Sequence, residues 1–199
     1  MCMGKPNISY TIGHSNHGPG KFINLLDEHD ISVVLDVRSV PYSRRHPQYN
    51  REPLRDMLMQ NGYAYEFLGD SLGARGWGEK YMFPAEINSA QVDFARVRAD
   101  KKFLEGIARV KEIVASGERP ALMCAEADPF NCHRFVLVSC QLALEGMEVS
   151  HILADGTLDS NSELEKRLLD TYLKPDLFQA PASYEDALAK AYEKRNLSL

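Results

Sequence analysis

Apolar residues along this chain follow two rhythms. Short continuous runs occur at Ile8–Ile12, Ile31–Arg38, Tyr63–Leu68, Pro120–Met123 and Val149–Leu153. Between them apolar residues recur at helical spacing. Phe22, Leu25 and Leu26 follow Pro19, and Pro53–Gln60 ends at Asn61-Gly62. A stretch from Gln91 breaks near Asp100, and Phe103, Ile107, Val110 and Val114 then form one face, with Gly117 placed to close the helix. Cys132–Glu145 ends at Gly146, and Ser162–Leu173 follows the Asp155-Gly156 turn. Ile31–Arg38 is apolar on both faces, as a strand inside a parallel sheet must be. The repeated β-α order with short connections predicts an α/β domain, a three-layer α/β/α sandwich with about five mostly parallel strands. That domain is placed at residues 6–175. Residues 176–199 read as a helical tail, because Ser183 followed by Asp186 suits a helix start running to Arg195. The tail is either docked on the domain or a dimer contact. Gly69–Ser89, with Gly73, Gly76 and Gly78 around Arg75, Trp77 and Lys80, is the least regular segment. It reads as a binding loop or as a surface excursion.

Composition narrows the class without naming a function. With 44% apolar and 26% charged residues, the 199-residue chain has the make-up of a soluble domain with its own core. A net charge of -5 gives no overall footprint for nucleic acid, though a local basic patch stays open. No run approaches the roughly 18 apolar residues of a membrane span, and no secretory segment follows Met1. The expectation is a cytoplasmic protein without a membrane partner. Four cysteines (Cys2, Cys124, Cys132 and Cys140) are too few and too unevenly spaced for a disulfide scaffold.

Ligands of parallel sheets bind at the carboxyl ends of the strands. There the sequence gathers His14 and Ser15 after the first strand, and Asp36 and Arg38, then Ser39 and Ser43, after the second. Cys124 and Glu126 follow the fourth strand, and Cys132-His133-Arg134 open the next helix. The opposite loops carry ordinary turn residues such as His29-Asp30 and Gly117-Glu118. Each candidate has two readings. Cys124 is a thiolate nucleophile or a small buried hydrophobe. Asp36 and Arg38 are an anion-binding pair or a salt bridge at a strand end. Arg134 near a helix start suits an anion, while Glu126 and Asp128 oppose a purely anionic ligand. Cys124, Cys132, His133 and His14 are zinc-compatible ligand types. However, adjacent ligands such as Cys132-His133 rarely face one ion, so no metal is assigned and no cofactor is named. An open metal site on His14, Asp36 or Glu126 remains as an alternative. The loop holding Tyr42, Arg44, Arg45, His46, Tyr49 and Arg51 interleaves aromatics and cations, which suits stacking on bases beside phosphates.

Taken together, Thr11-Ile12-Gly13-His14-Ser15, Asp36-Val37-Arg38 with Pro41-Tyr42-Ser43, the Leu72-Gly73 turn, Cys124-Ala125-Glu126, Cys132-His133-Arg134 and His151-Ile152 resemble the DUF488 family. The resemblance runs from about Ile8 to Gly156. It implies that the family's signature residues are Gly13, His14, Ser15, Asp36, Arg38, Pro41, Ser43, Cys124, Glu126, Cys132, His133 and Arg134, which include those gathered at the strand ends. The family is a bacterial and archaeal group without an established activity, so it implies no mechanism. Nine residues separate Cys124 from Arg134 and one separates Cys132 from it, so the phosphate cradle of the cysteine phosphatases is not present.

The functional expectation is an enzyme acting on a small anionic or phosphorylated, nucleotide-like molecule. Arg38 and Arg134, with Ser15, Ser43 and Cys132, would bind the anion. Cys124 would be the nucleophile or a redox-active thiol. His14 or His133 would move protons, oriented by Glu126 and Asp36. The rivals are a nucleic-acid-associated protein, using the Tyr42–Arg51 loop and the Arg75–Lys80 loop beside the same cleft, and a non-catalytic ligand sensor. The sequence does not give the oligomeric state.

Overall fold

The computed structural model describes residues 7–173 and 183–199. Cys2 and the domain boundary at Pro175 lie outside the described residues. Six strands form one sheet: β1 (Ile8–Gly13), β2 (Val33–Asp36), β3 (Ala64–Phe67), β4 (Pro120–Cys124), β5 (Glu148–Ile152) and β6 (Leu158–Ser160), in the order β3-β2-β4-β1-β5-β6. The first five in that order pair in parallel, and β6 runs antiparallel at the edge beside β5. The sequence reading has no β6, because Leu158-Asp159-Ser160 is only three residues long and two of them are polar.

Two helices cover one face of the sheet. They are α1 (Pro19–Glu28) and α2 (Arg51–Gln60), and their Phe22, Leu25, Leu26, Leu54 and Leu58 pack on Val34, Ala121 and Met123. The other face carries α3 (Gly69–Leu72), α4 (Phe94–Arg98), α5 (Lys101–Ser116), α6 (Cys140–Leu144) and α7 (Asn161–Tyr172), together with α8 (Tyr184–Leu197). Alternation along the strands feeds both layers. Val33, Leu35, Leu122 and Cys124 meet the second group while Val34, Ala121 and Met123 meet the first. The predicted face of α5 is buried: Phe103, Ile107, Val110 and Val114 are in the core, and Gly117 closes the helix at φ 96°. Each such side chain contributes about 1.5–3 kcal/mol of burial. The break near Asp100 is a helix start, since the Asp100 carboxylate accepts from the Lys102 amide at 2.8 Å. In the tail helix α8, Ala191 and Tyr192 sit in the main core, and Arg195 Nε donates to the Phe130 carbonyl at 2.9 Å.

One helix departs from expectation. The sequence predicts an unbroken α-helix over Cys132–Glu145, whereas Arg134–Ser139 is a π-helical turn running into α6. The Ser139 hydroxyl donates to the Arg134 carbonyl at 2.8 Å, and Arg98 donates to the Val136 carbonyl at 3.3 Å, so side chains supply bonds where the backbone ladder is widened.

Connections after β1 and β2 cross on the α1–α2 face, while the chain leaving β4 enters the helix on the opposite face. β4 lies between β1 and β2. The carboxyl end of β4 is therefore a switch point of the sheet, where a crevice opens. Two loops close tightly there. The His14 amide donates to the Cys124 carbonyl at 2.9 Å and the Ser15 amide to the Ala125 carbonyl at 2.8 Å. At Gly13 a Cβ would lie 1.8 Å from the Glu126 carbonyl oxygen, so only glycine lets the loops meet. Gly13→Ala should cost roughly 3 kcal/mol or more in urea unfolding, because backbone on both sides blocks relaxation. Gly20→Ala, in α1 with nothing within 4 Å of the added carbon, should stabilise by about 0.5–1 kcal/mol. Equal effects at the two positions would show that the loops can separate freely.

Candidate functional site

The crevice at the end of β4 is a cleft of about 590 Å³ lined by Arg38, Ser39, Val40, Ala74, Arg75, Ala90, Gln91, Val92, Phe94, Cys124, Ala125, Glu126, Asn131, Cys132, His133 and Leu199. Cys124 ends β4 and Cys132 heads the next helix, where its carbonyl accepts from the Phe135 amide at 3.1 Å. The cysteine thiols are close to His133: Cys124 Sγ is 3.7 Å and Cys132 Sγ is 3.8 Å from its Nδ1. The other ring nitrogen, Nε2, lies 3.0 Å from the Val37 carbonyl. A carbonyl only accepts, so Nε2 carries the hydrogen and the Nδ1 lone pair faces both sulfurs. The sequence-level objection that Cys132 and His133 would diverge does not hold. Cys132 is extended (φ -137°, ψ 145°) and His133 helical (φ -60°, ψ -23°), and the turn between them brings both side chains to Cys124.

Arg134 is fully buried behind the sulfurs. Its Nη1 donates to the Glu126 carbonyl at 2.5 Å, Nη2 to the Ala127 carbonyl at 3.0 Å and Nε to the Thr11 hydroxyl at 3.3 Å. It supports the loop from behind and does not line the cleft. Among the described residues no carboxylate lies within ion-pair distance of it. Its charge therefore acts on its neighbours. The thiol of Cys132 beside Cys124, together with burial, holds Cys124 well above the ordinary thiol value. For Cys132 burial also opposes ionisation, but the Cys124 thiol, the Arg134 charge and His133 outweigh it and lower its pKa. The sequence reading puts the thiolate on Cys124; the charge distribution favours Cys132, with Cys124 keeping its proton.

The second strand end forms a separate buried unit. Arg38 Nε and Nη2 donate to the Asp36 carboxylate at 2.9 and 2.7 Å, and the Tyr65 hydroxyl donates to it at 2.9 Å. Arg38 Nη1 is 3.3 Å from His14 Nε2, and His14 Nδ1 donates to the Ser15 carbonyl at 2.9 Å. His14 is thus a neutral acceptor stacked on Tyr49, and burial, helped by the Arg38 charge, pushes its pKa down to about 4. It holds Arg38, which lines the cleft, and does not line the cleft itself.

The remaining candidates are placed differently. Glu126 is exposed in the cleft wall, and none of its side-chain oxygens is paired among the described residues. Asp128 turns away to Arg167 at 2.9 Å. Ser15 adopts φ 48°, and its hydroxyl points to Asn16 at 3.4 Å. Ser43 accepts from the His46 amide at 3.1 Å and braces its own loop. The structure thus brings Arg38, Cys124, Glu126, Cys132 and His133 to one cleft, and leaves Ser15 and Ser43 outside it.

Two features were not assigned to the site from sequence. Arg75 lines the cleft with its guanidinium unpaired among the described residues, positioned because its amide donates to Ser39 Oγ at 2.9 Å and Gly73 packs against Ser39. Its signal was the spacing of Gly73 and Gly76 around it. The other is a buried relay. The Thr11 hydroxyl, which accepts from Arg134, lies 2.8 Å from His151 Nδ1; His151 Nε2 donates to Asn161 Oδ1 at 3.3 Å; and Asn161 Nδ2 donates to Glu165 at 2.8 Å. Burial and the Arg134 charge hold His151 down to about 3.

Fold and cleft define an α/β protein with a paired-thiol site at the switch point of its sheet. The model of the family described as "Domain of unknown function DUF488" matches residues 19–140, and the chain belongs to this family. The match leaves β1, with His14 and Ser15, and the His151 strand outside it. No curated protein and no solved structure matches the chain. Among the described residues no helix is long and apolar enough to cross a membrane.

The two buried histidines make stability depend on acid. Both are lowered from 6.5, so between that value and about 4 (His14) or about 3 (His151) the unfolded chain binds more protons than the folded one. Stability must then fall as pH falls through this window, by up to roughly 1.4 kcal/mol per pH unit for each group. Urea unfolding between pH 7 and pH 4 should show the decline, and His151→Gln should make it shallower even if the variant is less stable. Equal slopes for both proteins would mean that His151 is not held neutral.

Proposed function

We propose that this protein is an enzyme that applies a Cys132 thiolate to a small anionic molecule held by Arg38 and Arg75. The observation that carries this reading is the meeting of Cys124, Cys132 and His133 on the wall of a cleft that also presents two guanidinium groups. The roles follow from the geometry. His133, fixed by the Val37 carbonyl, takes the Cys132 proton at Nδ1. The sulfur then forms a bond to an electrophilic atom of the substrate while the leaving group departs with its electron pair and receives that proton. Cys124 donates to the Cys132 sulfur, and the buried Arg134 charge and the helix start support the anion. Asp36 and His14 hold Arg38 in place. Glu126, exposed in the same cleft, orients a donor group of the substrate. Phosphorylated or carboxylated molecules are the substrate class.

The nucleic-acid alternative draws on Tyr42, 64% exposed, and on the exposed Arg44 and Arg45 in the same loop. That reading also takes in Arg75, which lines the cleft while Tyr42, Arg44 and Arg45 do not, and it leaves the thiols without a role. A sensor would bind the same anions without covalent chemistry.

Site-resolved alkylation in chelator-treated buffer at pH 7 tests the proposal. Cys132 is 3% and Cys124 6% exposed, so access is through the cleft alone. Cys132 should react first and at least about tenfold faster than Cys140, whose thiol burial raises to about 11. The rate ratio of iodoacetate to iodoacetamide should exceed that of free cysteine, and Arg75→Ala should abolish the excess. A Cys132 as slow as Cys140, or a first reaction at Cys124, would overturn the assignment of the nucleophile.

A further inference from the structure

Cys124 Sγ, Cys132 Sγ and His133 Nδ1 all lie within 4.8 Å of one another, and the two sulfur–nitrogen distances are 3.7 and 3.8 Å. Such distances are long for strong hydrogen bonds. They suit a shared ion. With Zn–S bonds of 2.3 Å and Zn–N bonds near 2.05 Å, a tetrahedral site spaces its sulfur and nitrogen ligands about 3.6 Å apart. The two sulfur–nitrogen distances therefore need to change by only a few tenths of an ångström. His133 is already oriented as metal-bound histidines are, with Nε2–H on the Val37 carbonyl and the Nδ1 lone pair turned to the sulfurs.

We infer that Cys124, Cys132 and His133 form an open binding site for a thiophilic divalent ion, with Zn²⁺ the favoured occupant. Two thiolates and one imidazole select this class over oxygen-seeking ions such as Mg²⁺. Two thiolates also neutralise the ion's charge, and both thiol protons leave on binding. Three protein ligands leave a fourth position for water or for a donor group of a molecule in the cleft, which the same residues line. The site goes beyond the thiolate reading and shares its sulfur atoms. A coordinated Cys132 sulfur is no longer a free nucleophile, so the ion-bound and reactive forms exclude each other.

The experiment is titration of the reduced full chain with Co²⁺ and then Zn²⁺. Co²⁺ should bind one per chain, with a sulfur-to-cobalt charge-transfer band and the visible bands of tetrahedral coordination, and Zn²⁺ should displace it. Cys124→Ser, Cys132→Ser and His133→Gln should each weaken Zn²⁺ binding at least 100-fold, while Cys140→Ser, in the core, should leave it unchanged. Zn²⁺ should also slow alkylation of Cys132. The wild-type Co²⁺ spectrum reads the site even where a variant fails to fold. Absence of the charge-transfer band, or affinity untouched by all three ligand variants, would overturn the inference. Fast alkylation of Cys132 without Zn²⁺ binding would sink the metal site and keep the nucleophile; tight Zn²⁺ binding with an inert Cys132 in chelator would do the reverse.

Discussion

A buried guanidinium with no carboxylate in ion-pair reach among the described residues organises this molecule. A charge taken out of water is costly unless its donors are satisfied, and an unpaired one acts at long range through low-dielectric surroundings. Arg134 meets the first condition by donating to two carbonyls of the loop after β4 and to the Thr11 hydroxyl of β1. Those bonds fasten the loop to the sheet and fix the position of Cys124 relative to Cys132. The π turn that starts at Arg134 belongs to the same device, since the Ser139 hydroxyl donates to the Arg134 carbonyl across it. The second condition is left to the sulfurs, whose ionisation the charge favours.

Thr11, His151, Asn161 and Glu165 extend the clamp across the sheet to α7, and the Tyr192 hydroxyl of α8 joins at Glu165, at 3.0 Å. Every hydrogen in this chain has one consistent direction: Arg134 donates to Thr11, Thr11 to His151 and His151 to Asn161. A protonated His151 would have no acceptor role left for Thr11. Proton uptake there would loosen both the edge of the sheet and the loop that carries the thiols, which connects the acid sensitivity of the fold to the geometry of the site. The Asp36–Arg38–His14 unit is built on the same logic, with a neutral imidazole accepting from a guanidinium.

Most of this fold was legible in the sequence because periodicity reports which face of an element is buried. Phe103, Ile107, Val110 and Val114 of α5, and the apolar run Val33–Leu35 of β2, could be placed on that basis alone. β6 escaped because an edge strand of three residues has no period to read. The π turn escaped because apolar residues on every side of Phe135–Leu142 fit either winding. At the site, strand-end logic gathered Arg38, Cys124, Glu126, Cys132 and His133, which line one cleft, since it needs only the strand order of a parallel sheet. It failed to separate the residues that line the cleft from those that brace it. Arg134, His14 and Asp36 look the same in sequence whether they face a ligand or the core; the difference lies in which carbonyls and hydroxyls the tertiary structure brings within reach. The pairing of Cys132 with His133 was discounted for a related reason: neighbours diverge in a regular strand, but not where extended backbone turns into helix.

Charge balance around the cleft bears on what the site can accept. Asp36 offsets Arg38 through a bidentate pair, and one thiolate would offset Arg134. Among the described residues lining the cleft, Arg75 is then the cation left without an ion-pair partner and Glu126 the carboxylate left without one. A polyanion such as a nucleic-acid backbone needs several unpaired cations in a row and would meet the Glu126 carboxylate instead. A small molecule with one anionic group near Arg75 and a hydrogen-bond donor near Glu126 would leave neither charge opposed. An ion on the two sulfurs would shift this balance toward positive and tighten the hold on the anionic group, while withdrawing the nucleophile. Under the two proposals, ion binding and reactivity at this cleft would be coupled through the same two sulfur atoms, in opposite directions.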